Sequence, residues 1–176
     1  MPLCSRRLTM PSKLFLYDAN EANKDLLDYF KNKNYTRVAL TNSTDFFWSQ
    51  IDSVDNGGYL AIMSHGNNNT FEIAMGNPPK DMRQDQIVPF GTSLNQRNVT
   101  LYLLSCHTGN DPLGRSLLGT GCNFAAPKGY ALVKSSSAGV GVYSVVDPHA
   151  SDVKYAGWTG TEGVIPNRDT KPLNIK

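Results

Sequence analysis

Apolar residues arrive along this chain in short runs separated by polar stretches, and two of the runs are almost unbroken. "YLAIM", Tyr59 to Met63, and "VTLYLL", Val99 to Leu104, have the pattern of central strands covered on both faces of a sheet. "KLFLY", Lys13 to Tyr17, bounded by Asp18 and Asn20, predicts a first strand, and "RVAL", Arg37 to Leu40, a second. "GYALVK", Gly129 to Lys134, predicts a fifth strand, and "VGVYSVV", Val140 to Val146, a further strand or a hairpin partner. Between these runs the period changes. Ala22, Leu26, Leu27 and Phe30 recur at helical spacing behind Asn20 as a cap, and Lys31 and Lys33 suit the negative end of that helix. Ser43 or Thr44 introduces a second helix carrying Phe46, Phe47, Trp48 and Ile51. Asp111 and Pro112 open a third, through Leu117 and Leu118. Between the two long runs lies a polar segment with Pro78, Pro79 and Pro89, with "TFEIAM" forming part of a hairpin. Beyond Pro148 the pattern is irregular again, and Trp158 is the residue to pin it to the core.

Strands alternating with helices predict an α/β fold, a mostly parallel central sheet flanked by helices and joined by right-handed crossovers. Residues 13–176 form one domain, and residues 1–12 a loose arm in which Pro2 and Pro11 discourage regular structure. The chain has 176 residues, enough for one core without disulfides or metal, and 40% hydrophobic with 18% charged residues marks it as globular. A net charge of +2, with no basic run interleaved with aromatics, points away from nucleic acid. No apolar stretch is long enough to span a bilayer, and the opening "MPLCSRRLTMPSK" lacks the apolar core of a secretory signal. The expected location is the cytoplasm, or the outside by a dedicated machine that needs no signal peptide. Three cysteines, Cys4, Cys106 and Cys122, leave at least one thiol free and suit a reducing compartment.

In parallel sheets ligands gather beyond the carboxyl ends of the strands, so the residues after the two buried runs are the place to look for chemistry. Ser64, His65 and Gly66 follow the first run; Ser105, Cys106, His107, Thr108 and Gly109 follow the second. If the two strands are parallel neighbours, His65 and Cys106 emerge at one edge. A thiol beside an imidazole suits attack by sulfur on an acyl carbon, and the N–H groups of Gly66 and Cys106 can hold the resulting oxyanion. The blander reading takes His65 as a buried histidine bonded to a carbonyl and Cys106 as a small core residue. His107 is read as shaping the loop, because adjacent residues on a strand point to opposite faces. Cys122 and Cys4 have no positioned base, and His149 sits at the surface or the rim. A zinc site from His65, Cys106 and His107 lacks a fourth ligand, and neither a metal nor another cofactor is expected.

"AIMSHG" and "LYLLSCHTG" resemble the two signature blocks of the caspase-like cysteine peptidases, in the order His-Gly first and Cys second, each after an apolar strand. The wording is closest to the bacterial members, the CHAT-type peptidases and the protease domains of large toxins. The resemblance implies a three-layer caspase-like sandwich and a cysteine endopeptidase acting on protein or peptide substrates through a thioester, possible also as a delivered bacterial effector or toxin. It assigns His65 as general acid and base, Cys106 as nucleophile, and Gly66 with Cys106 as the oxyanion hole. It points to the segment "VKSSSAG" after the nucleophile block for the substrate pocket, so that Ser64, Lys134, Ser135, Ser136 and Ser137 are candidate lining residues. It leaves open the preferred residue at the cleavage site and any activating ligand or partner. The alternative is a catalytically silent module of the same fold that binds a partner protein.

Overall fold

The computed structural model describes residues 10–176, so Cys4 and most of the expected arm lie outside the described residues. Of the arm's last residues, Met10 and Pro11 are exposed and Ser12 is tied down: its hydroxyl accepts from the Asp55 N–H at 2.8 Å.

The central sheet has six strands: β1 (Lys13–Tyr17), β2 (Thr36–Ala39), β3 (Tyr59–Met63), β6 (Thr100–Leu103), β7 (Asn123–Pro127) and β10 (Trp158–Gly160). Their order is β10-β7-β6-β3-β1-β2, all parallel except β10, which runs antiparallel to β7. The two nearly unbroken apolar runs are therefore adjacent at the centre, as their two-sided burial requires.

Each face of the sheet is covered. On one side Leu14, Leu16, Leu60, Ile62, Leu101 and Leu103 pack against α2 (Thr44–Asp52), α3 (Gln84–Gln96) and α4 (Leu113–Gly119), through Phe47, Phe90 and Leu117. The short hairpin of β4 (Glu72–Ala74) and β5 (Lys80–Asp81) joins this layer through Ile73. On the other side Phe15, Ala61 and Tyr102 pack against Leu26 and Phe30 of α1 (Lys24–Asn32) and against Val142, Leu173 and Ile175. The result is a three-layer α/β sandwich. Alternation along each strand decides the layer: even positions of β1 and β3 go to the first face, odd positions to the second.

Several sequence expectations need correction. The helix after β1 is capped by Asn23, whose side chain accepts from the Leu26 N–H at 2.9 Å; Asn20 instead donates its N–H to Asp18. The polar segment holding Pro89 contains a helix that the pattern does not single out, α3, which buries Ile87, Phe90, Gly91 and Leu94. Asp111 does not cap α4; Pro112 holds that position without a side-chain bond, and Asp111 pairs with Arg115 at 2.6 Å. The run from Gly129 is not a strand of the central sheet: β8 (Tyr130–Ser136) and β9 (Gly139–Val145) form a separate antiparallel hairpin over the second face. The place beside β6 is taken by β7, "NFAAP", which the hydrophobic pattern does not single out. Trp158 is buried as expected and begins β10.

Candidate active site

β3 and β6 pair with a constant offset, Tyr59 with Thr100 through Ile62 with Leu103. The offset persists past the strand ends. The Ser64 N–H donates to Ser105 Oγ at 3.3 Å and the two hydroxyls lie 3.2 Å apart, both across 41 residues. One step further the same register sets His65 beside Cys106. Parity sends both toward the second face, where Ala61 and Met63 of the one strand and Tyr102 and Leu104 of the other already point. The side chain of His65 is 61% exposed and Cys106 is half-buried, so both can be reached from solvent.

Gly66 is needed for this approach. A Cβ there would lie 2.8 Å from Ser105 Cβ and from Thr108 Cγ2, and 3.0 Å from the Cys106 carbonyl oxygen. The loop after β6 is braced from within by Thr108, whose hydroxyl donates to the Ser105 carbonyl at 2.7 Å. Neither the Gly66 nor the Cys106 N–H has a main-chain acceptor among the described residues. The Cys106 N–H lies against its own sulfur, and with the Gly66 N–H it gives two donors beside a thiol, the arrangement that holds a developing oxyanion.

A third strand end contributes what the sequence pattern missed. Asp18 follows β1, and its N–H donates to the Met63 carbonyl at 2.8 Å, tying the end of β1 to that of β3. The turn closed on the Asp18 carbonyl by the Glu21 and Ala22 N–H groups brings Glu21 to the histidine. His65 Nε2 lies 2.8 Å from Glu21 Oε1. With Nε2–H donated to that carboxylate, Nδ1 is left as the nitrogen able to take a proton. Glu21 belongs to no apolar run and no motif; only the strand order makes it visible.

The thiol of Cys106 is pushed above its usual range by burial, partly offset by a hydrogen bond from the Ala131 backbone N–H, and raised further by the negative charge of Glu21. At rest it is protonated, and forming the thiolate requires a base. His107 is turned away from this role. Its backbone is left-handed at φ 63, its N–H donates to the Gly129 carbonyl at 2.8 Å, and its ring meets Tyr130 edge-on at 4.5 Å.

The expected pocket lining is only partly assembled here. Ser64 points to the opposite face: it is 4% exposed and donates its hydroxyl to the Glu72 carbonyl at 2.8 Å. Lys134, Ser135, Ser136 and Ser137 occupy the far end of the β8–β9 hairpin, where Ser135 bonds Asp25 of α1. What adjoins the sulfur is the beginning of β8, at Ala131. Depressions of about 820 Å³ between Glu162 and Asn174, and about 630 Å³ beside Trp158, contain neither His65 nor Cys106. Cys122 is buried far along the sheet at the start of β7, its thiol pushed up to about 12 by burial, and His149 is exposed in the loop after β9.

No protein-family model matches the sequence, and no curated protein matches it either. Among solved structures the chain is similar to an aromatic-amino-acid aminotransferase from Burkholderia pseudomallei covalently bound to pyridoxal phosphate, at 10% identity and a TM-score of 0.43. That likeness covers 65% of this chain and 30% of the other, and at this level it carries no argument.

Proposed function

We propose that the chain is a cysteine endopeptidase of the caspase-like kind, cleaving protein or peptide substrates with Cys106 as nucleophile and His65 as general acid and base. The observation that carries this reading is the continued register of β3 and β6, in which Ser64 bonds Ser105 and the next pair is His65 and Cys106. N–H groups at Gly66 and Cys106 without a main-chain acceptor among the described residues support it, as does a carboxylate on His65 Nε2.

In this mechanism His65 Nδ1 takes the thiol proton as Cys106 Sγ bonds to the substrate carbonyl carbon. The carbonyl oxygen becomes an oxyanion held by the N–H groups of Gly66 and Cys106. When the C–N bond breaks, the imidazolium returns its proton to the leaving amine, and a thioester remains on Cys106. Water, deprotonated by His65, then attacks the thioester; the acid leaves and the thiol is restored. Glu21 holds the ring and stabilises the imidazolium, acting as a positioning residue. An extended substrate is favoured because β8 pairs only with β9 among the described residues and so leaves an open strand edge that starts at Ala131 beside the sulfur.

The test is cleavage of a diverse peptide library, read by mass spectrometry. The wild type is expected to cut, Cys106→Ala and His65→Ala to lose turnover by a factor on the order of 10³ or more, and His107→Ala to remain within about tenfold of wild type. Full activity in Cys106→Ala would reject the assignment.

A further inference from the structure

We propose that Asp18, Glu21 and His65 form a site for one divalent transition cation of the zinc class, and that filling it silences the His65–Cys106 pair. The silencing rests on the peptidase reading; the cation site does not.

One ligand atom from each of the three side chains lies within 4.8 Å of the other two. Bonds of roughly 2.0 to 2.2 Å to a shared ion need only small rotations from there. Asp18 is the fixed member, 2% exposed, with Oδ1 held by the Asn20 N–H at 2.7 Å. Glu21 and His65 are exposed enough to turn onto an ion. A second feature points the same way. Glu72, 8% exposed, has no side-chain hydrogen bond among the described residues, and the charges that act on it are those of His65, Asp18, Asp81 and Glu21, with no lysine or arginine among them. The charges of Asp18 and Glu21 thus bear on a third carboxylate, Glu72, with His65 the one group of opposite sign acting there, and a mobile cation relieves that imbalance. One ring nitrogen among carboxylate oxygens favours zinc or manganese over calcium or magnesium, which prefer oxygen alone.

The consequence for chemistry lies in the ring. A metal ion on Nε2 takes that lone pair and displaces its proton, and the neutral ring then carries its hydrogen on Nδ1. Nδ1 can no longer accept the thiol proton, so bound cation and general base exclude each other. This cluster is not the one considered from sequence with Cys106 and His107, because the His107 ring is turned onto Tyr130.

The experiment uses the full chain, stripped of metal, carrying Cys106→Ala so that the thiol cannot contribute. Calorimetric titration with Zn²⁺ is expected to find one site, and Glu21→Gln in the same background to weaken it by about tenfold or more. Asp18→Asn should weaken it likewise, but Asp18 is buried, and the exposed Glu21 variant keeps the test decisive if that protein does not fold. No stoichiometric binding, or unchanged affinity in the Glu21 variant, overturns the site. In the wild type, peptide cleavage should stop at the Zn²⁺ concentration that fills the site and return with a chelator; cleavage that persists with the site filled overturns the silencing. Failure of the metal-free wild type to cleave sinks the peptidase reading and the silencing with it, while the titration still decides the cation site.

Discussion

Cys106 sits where a half-buried thiol, backbone donors and a carboxylate act against one another, and their balance sets how the residue can work. Burial dominates, Glu21 adds to it, and the Ala131 N–H offsets only part, so the sulfur stays protonated at neutral pH. Alkylation by iodoacetamide should therefore keep accelerating as pH rises past about 9, the region where an ordinary thiol has already ionised. Glu21→Gln removes a negative charge and should shift that profile toward lower pH. A rate that levels off below about pH 8 would instead mean a stable thiolate–imidazolium pair and contradict this account. The two members of the pair were legible in the sequence because each closes an apolar run and is followed by a small or polar residue. Glu21 was not, since its meeting with His65 depends on β1 and β3 being neighbours, a fact of strand order that no local pattern encodes.

At the scale of elements, the alternation of apolar runs with helical periods disclosed the sheet, while exceptions to local propensity hid parts of it. β7 is short, rich in alanine and ends in Pro127, yet it lies between β6 and β10, where packing rather than propensity decides. β8 has a strand's composition, but its exposed outer positions suit a hairpin laid over the sheet rather than a place within it. α3 was concealed by Pro89. Ile87, Phe90 and Leu94 fall at helical spacing and are fully buried, so tertiary burial outweighs a residue that removes one backbone donor and crowds the Asp85 carbonyl. Pro89 is exposed, so nothing but the backbone opposes its replacement. Pro89→Ala should stabilise the protein by about 2 to 2.5 kcal/mol, the helix-interior penalty of proline less the entropy the unfolded chain regains. Urea unfolding measures this directly, and a loss of stability would show that the ring makes packing contacts the helix needs.

Taken whole, the molecule keeps the tyrosines of its core on one face of the sheet, among Phe15, Phe30 and aliphatic residues, while the other face has none, and this asymmetry has a thermodynamic consequence. Tyr35 and Tyr102 are buried and Tyr29 half-buried, and burial raises the pKa of all three phenols, that of Tyr29 to about 12. The Cys122 thiol behaves in the same way on the opposite face. Below about pH 8 these groups are neutral in the folded and the unfolded chain, and they make stability independent of pH. Between the unfolded and the raised folded values only the unfolded chain has lost its protons. Folding stability therefore falls as pH rises, by up to about 1.4 kcal/mol per pH unit for each group. Urea unfolding should give a constant stability up to about pH 8, a shallow fall as the unfolded thiol ionises, and a steep decline by about pH 10.5. Tyr35→Phe removes the hydroxyl that donates to the Lys176 carbonyl at 2.9 Å, so it should lower stability at neutral pH and flatten the alkaline decline. Equal stability at pH 8 and at the alkaline end would mean that these phenols ionise without unfolding the protein, and that water reaches the tyrosine-lined face more freely than its packing allows.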